Sequence, residues 1–114
     1  MDKSDLDSLL DDIARVNPYY TNMLGSHVPG MGGTSAANIG ASNAAVEVIG
    51  NLKRDASLFA ALVTASERDE DRIISVMEAM EGSIMTLSVF GRLTDNYRDS
   101  LLNRMQDIAQ ISKK

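Results

Sequence analysis

Between Ile73 and Ile111 apolar residues recur at Ile73, Val76, Met80, Ile84, Leu87, Phe90, Tyr97, Leu101, Ile108 and Ile111. The steps are multiples of three and four, the spacing that puts side chains on one face of a helix. No proline falls in this run, and Met77, Met85, Leu93, Leu102 and Met105 widen the stripe toward more than one neighbour. Acidic residues (Glu67, Asp69, Glu70, Asp71) precede it, and Arg104, Lys113 and Lys114 lie near its end, the order that complements a helix macrodipole. Thr64 with Glu67, and Ser66 with Asp69, have the spacing of capping boxes. The pattern predicts one helix of about forty residues, roughly 60 Å long. A core built by 114 residues cannot cover such a length, so the stripe implies a partner.

The segment before it supplies an antiparallel neighbour. Ser42 or Asn43 can cap a second long helix whose buried face is Ala45, Ile49, Leu52, Ala56, Phe59 and Val63. From Thr64 to Arg72 the apolar stripe lapses. We read the lapse as a turn between antiparallel helices; a solvated span of one continuous helix is the alternative, since neither Gly nor Pro interrupts it. Near the N-terminus, Leu6, Leu9, Leu10, Ile13 and Val16 share one face of a short helix over residues 4–16, with Ser4 and Asp7 as its cap. Asn17-Pro18 ends it, because the residue before proline is pushed out of the α region. A helix of about thirteen residues does not hold in water alone, so this one needs a docking surface. The string from Leu6 to Ile13 is similar to the leucine–aspartate motif of adhesion scaffolds, with Ile13 in the last leucine place. The plainer reading is a helix that docks on its own assembly.

The fold class expected is therefore all-α. Residues 1–17 form an acidic amphipathic docking helix, 18–42 a Gly/Pro-rich linker, and 43–114 a two-helix antiparallel hairpin that packs in an oligomer. The linker holds Gly25, Gly30, Gly32, Gly33 and Gly40 with both prolines, and Tyr19, Tyr20, Met23, Leu24, Val28 and Met31 are apolar anchors within it. Residues 20–41 are expected to gain order only on assembly, because ordering glycines is entropically costly.

Several chemistries are disfavoured. A net charge of −5 opposes nucleic-acid binding, which needs a basic face. The chain has no cysteine, hence no disulfide framework and no thiolate metal site. Gly30 to Gly33 lacks the following Lys and Ser/Thr of a phosphate loop. His27, the single histidine, has no second ligand beside it, and Ser26 and Thr34 make no convincing set with it. The acidic run from Glu67 to Asp71 lacks the alternation and central glycine of a calcium loop. Arg68 and Arg72 stand three residues from Asp71 and Asp69, as in a solvated, ion-paired first turn. Glu78 and Glu81 lack a Glu-x-x-His partner. No nucleophile stands beside a base. We expect no enzyme, no cofactor and no metal site. The acidic N-terminus, without an apolar segment behind it, predicts no cleavable signal peptide. Ile84 to Leu93, the longest apolar-rich run, is far short of the ~20 residues of a spanning helix.

Small residues carry more information. Ser75, Ala79, Gly82, Ser83, Thr86 and Gly91 lie along the long helix, and each glycine there costs about 1 kcal/mol against alanine. We read them as sites of close approach by another backbone, the alternative being that Gly82 or Gly91 kinks or ends the helix.

The layout and one local string carry a resemblance. Val76-Met77-Glu78-Ala79-Met80, followed by Ser83, Leu87, Gly91 and Leu93, is similar to the final helix of flagellar rod–basal body adaptors and of type III secretion inner-rod subunits. It covers about forty residues, the later spacing departs from both families, and Tyr97-Arg98-Asp99 fits loosely. The resemblance implies a structural subunit packed against copies of itself or against a ring or rod protein, made in the cytoplasm and built into an export apparatus. A virion structural or portal-ring protein has the same traits. The expected interface is Leu6, Leu9, Leu10, Ile13, Met80, Gly82, Leu87, Phe90, Gly91 and Leu101. A small cytoplasmic adaptor or inhibitor, binding one protein through the acidic N-terminal helix, is the alternative function.

Overall fold

A computed structural model describes residues 3–19, 21–23 and 36–111. The chain is all-helical there, with α1 (Lys3–Ala14), α2 (Ala36–Thr64), α3 (Glu70–Val89) and α4 (Asp95–Ile111). The described residues contain one isolated parallel β-bridge, between Asn22 and Leu93. His27, the phosphate-loop candidate at Gly30 to Gly33 and the anchors Tyr20, Leu24, Val28 and Met31 lie outside the described residues.

The first two helices bury the faces their spacing indicates. Leu6, Leu9, Ile13 and Val16 of the first segment are buried, as are Ala45, Ile49, Leu52, Ala56, Phe59 and Val63 of α2. The start of α2 differs from the sequence expectation. Residues 36–42, assigned to the linker, are already helical, because Ala36, Ala37, Ile39 and Ala41 favour helix strongly enough to carry Gly40.

The lapse after Val63 is a turn. Thr64 closes α2, its hydroxyl donating to the Ala60 carbonyl at 2.7 Å, rather than capping the next helix. Asp69 is the N-cap of α3, with extended backbone (φ −104°, ψ 90°) and a carboxylate that accepts from the Arg72 amide at 3.2 Å. Arg68 ion-pairs with Glu70 instead of Asp71. It also donates to the Ala109 carbonyl at 2.9 Å, tying the start of α3 to the end of α4.

The forty-residue helix is not formed. It is broken between Val89 and Asp95, and Gly91 is where it breaks. Gly91 has φ +73°, the one positive φ among the described residues. With Phe90 as C-cap, the Gly91 amide donates to the Ser88 carbonyl (3.0 Å) and the Arg92 amide to the Leu87 carbonyl (2.9 Å). These are the two reversed bonds of a Schellman motif, for which glycine at C′ is suited because it lacks the Cβ that penalises a left-handed backbone. Thr94 then caps α4, its hydroxyl accepting from the Tyr97 amide at 3.2 Å.

Folding α4 back puts Leu93, Tyr97, Leu101, Met105, Ile108 and Ala109 into the same core as Ile73, Met80, Ile84 and Leu87 of α3. α1 packs against both α4 and α2. Most of the stripe that implied a partner, from Ile73 to Ile108, is thus covered within the chain, with Val76 and Phe90 half-buried.

Candidate functional site

The ten residues expected at an interface fall into three groups. Leu6, Leu9, Ile13, Met80, Leu87 and Leu101 are buried in the core, and Leu10 and Phe90 pack against it half-buried. Their burial is accounted for by the chain's own helices. Gly82 and Gly91 are exposed, and a Cβ added at either meets nothing within 4 Å. No backbone approaches them within this chain, so the close-approach reading of both glycines is not realised there. Gly91 serves the elbow, and Gly82 lies on the outside of α3.

Two polar constellations hold the fold together. At the elbow, the segment after α1 acts as a strap. The Asn22 amide donates to the Arg92 carbonyl (2.8 Å), the Thr94 amide donates to the Asn22 carbonyl (3.0 Å), and the Thr21 hydroxyl donates to the Gly91 carbonyl (2.6 Å). The Asn22 side-chain amide donates to the carbonyls of Asn17 (3.0 Å) and Arg92 (2.9 Å), while its oxygen accepts from the Asn17 amide (3.2 Å). The Arg92 Nε donates to the Pro18 carbonyl at 2.8 Å. Asn22 and Arg92 are 7% and 6% exposed, and such burial of polar groups is tolerable only because they are bonded in this way.

At the α1–α4 seam, Arg104 pairs with Asp12 at 2.7 Å and donates to the Ser8 hydroxyl at 3.2 Å. The phenol of Tyr97 donates to the Asp12 carbonyl. An open groove of about 320 Å³ beside this seam is lined by Asp5, Ser8, Arg104, Asp107, Ile108 and Gln110. Its one basic group is committed to Asp12 and Ser8, so its polar atoms do not converge on a ligand.

Burial pushes the Tyr97 phenol above its ordinary value, and the nearby Asp12 carboxylate reinforces this against the opposing charges of Arg104 and Arg15. An acid whose folded pKa is raised contributes stability that is complete below its unfolded value, near pH 10, and is lost as pH rises through the folded value. Tyr97→Phe is therefore expected to lose about 1 kcal/mol at neutral pH with the hydrogen bond. It should also lessen the alkaline loss of stability, read from urea melts at a series of pH values. An alkaline limb identical to wild type would show that Tyr97 does not cause it.

Five large apolar side chains remain exposed among the described residues: Tyr19 after α1, Val46 on α2, and three on the outer face of α3. Ile74 is 49%, Met85 46% and Val89 82% exposed. At about 100° per residue these three project within a narrow sector, opposite Ile73, Met80, Ile84 and Leu87. Asp71, Glu78 and Glu81 share this face, so its three apolar groups are interspersed with carboxylates, and Gly82 leaves a low point between Ile74 and Met85. Sequence reasoning counted Met85 as a widening of the buried stripe and passed over Ile74 and Val89. Their out-of-phase positions, eleven and four residues apart, were the available signal.

Among the described residues no group of three or more His, Cys, Asp or Glu side chains is placed to hold a metal ion, and no helix is long and apolar enough to cross a membrane. The string that carried the resemblance is divided, with Val76 to Leu87 in α3 and Gly91 and Leu93 in the elbow. Comparison with known proteins finds no matching family model, no matching curated protein and no matching solved structure.

Proposed function

We infer that the chain is a non-enzymatic structural subunit of a larger assembly, and that it meets its neighbour through the outer face of α3. The observation that carries this is the stripe of Ile74, Met85 and Val89, apolar groups left in water on a helix whose opposite face is already fully used. Copies of the chain are the partner we propose. A rod or ring protein of a secretion or flagellar apparatus is the kind of neighbour the sequence resemblance adds, and a virion structural protein shares the same traits. The adaptor reading, through the acidic N-terminal helix, is less well supported, because Leu6, Leu9 and Ile13 of that helix are occupied by the chain's own core.

The test replaces Ile74, Met85 and Val89 together by glutamine. Each is a surface change expected to alter stability by no more than about 0.5 kcal/mol, so helicity and melting should hold. Light scattering of the wild type should show size growing with concentration, and the triple variant should stay monomeric. A variant that assembles like wild type would remove α3 from the interface. A wild type that stays monomeric throughout would end the self-assembly reading.

A further inference from the structure

We propose that the α3–α4 elbow is a hinge through which two copies of this chain exchange α4, each straightening Glu70–Ile111 into one helix. This is independent of the outer face of α3, since the surfaces exchanged are those of the core.

Three observations converge on the elbow. The first is register. The apolar series Ile73, Val76, Met80, Ile84, Leu87, Phe90, Tyr97, Leu101, Ile108 runs through it in steps of three, four and seven, with no proline between Glu70 and Ile111. A sequence that needed the bend to bury its apolar residues would change phase there. This one keeps them on one stripe whether the helix is bent or straight.

The second is that the break is confined. Gly91 supplies the single positive φ, and glycine adopts a helical φ as readily. The third concerns hydrogen bonds. The strap holds the carbonyls of Gly91 and Arg92 and the amide of Thr94, through Thr21 and Asn22. In a continuous helix those groups pair four residues along the chain, with the amides of Asp95 and Asn96 and with the carbonyl of Phe90. Straightening therefore gives the elbow's backbone groups helical partners, while the Asn22 amide and carbonyl give up theirs and must be taken up by water as the strap is released.

What straightening does expose is the apolar face of α4 and the surface of α3 and α1 that it covers. Tyr97, Leu101, Met105, Ile108 and Ala109 would lie in water. A second copy, opened in the same way, offers the matching surface, and reciprocal docking restores the core contacts that α4 makes beyond the elbow. The straight helix is roughly 60 Å long, longer than the 48 Å greatest extent of the closed chain.

Gly91→Ala tests this. Alanine is disfavoured in the left-handed region and better than glycine inside a helix, so each chain should shift toward the straight form by about thirtyfold and the dimer should tighten roughly a thousandfold. The control is Asp95→Pro. Asp95 is the first residue of α4, behind the Thr94 cap, a position where proline suits the bent form, whereas in a straight helix it would sit mid-helix and break it. Spin labels at the exposed positions Ser75 and Gln110, diluted with unlabelled chain, should read about 50 Å within one straight helix and well under half of that in the bent form.

The experiment is run in the Ile74→Gln/Met85→Gln/Val89→Gln background, so that the outer face of α3 adds no assembly of its own. The expected result is a Gly91→Ala dimer with the long distance, returned to monomer with the short distance in the Gly91→Ala/Asp95→Pro double variant. A Gly91→Ala chain that stays monomeric with the short distance would overturn the proposal, as would a dimer that survives Asp95→Pro. Should the alanine variant not fold, the comparison is read on wild type and Asp95→Pro, each refolded at high concentration. A swapped dimer from wild type alone supports the hinge, and equal outcomes from both end it.

Discussion

Leu87→Asp is expected to abolish cooperative folding. Leu87 is fully buried between α3 and the rest of the core. Removing a buried leucine costs roughly 3 kcal/mol in lost transfer energy and cavity. An aspartate there must in addition bury a carboxylate or take up a proton, and an uncompensated buried charge costs a further 3 to 5 kcal/mol or about that. The sum approaches or exceeds the 5–15 kcal/mol or so that separates a domain from its unfolded chain. The variant should lose its thermal transition by circular dichroism even when dilute, whereas Leu87→Met should stay within about 1.5 kcal/mol of wild type. The sequence alone places Leu87 in an interface, where the same change would abolish assembly by putting an unpaired charge into an apolar contact. A folded, cooperative Leu87→Asp monomer would favour that reading over the fold described above.

The second large effect is expected at Asn22. Asn22→Ala removes one side chain but strands the Asn17 amide and carbonyl beneath the strap, since both are bonded to it. Leaving a buried polar group unmatched costs about 1–3 kcal/mol; the Asn17 groups are part-buried, so a loss of about 2 kcal/mol is expected, on the order of 10 °C in melting temperature. Thr21→Val gives the comparison. It removes a hydroxyl bond at an exposed residue and should cost about 1 kcal/mol or less. Thermal melts of the two variants check the ranking. Equal losses would mean that the strap is held by its backbone bonds alone.

How far the sequence discloses this fold depends on how local each determinant is. The faces of α1 and α2 are legible because burial repeats at helical spacing, from Leu6 to Val16 and from Ala45 to Val63, with Asn17-Pro18 as a stop. The elbow is concealed by the same rule, since the stripe continues across it. The only local marks of a break are Gly91 and the Thr94-Asp95 pair, which together read as a C′ glycine followed by an N-cap. The strap leaves no periodic trace, because Asn22 meets Arg92 across seventy residues of chain. Of the exposed residues on α3, Met85 reads as part of the buried stripe, for apolar character does not reveal which side of a helix the chain will cover when it turns back.

The seam between α1 and α4 bears on the order of events during synthesis. Arg104 reaches Ser8, and Tyr97 reaches Asp12, over separations of 96 and 85 residues. α1 is made before α4, so the part of its apolar face that does not pack on α2 is covered only once α4 arrives. Closing so long a loop adds only about 0.6 kcal/mol per doubling of length, so the delay is a matter of time more than of equilibrium. In that interval the side of α1 meant for α4 is open to any apolar surface nearby, including the nascent helices of a neighbouring chain.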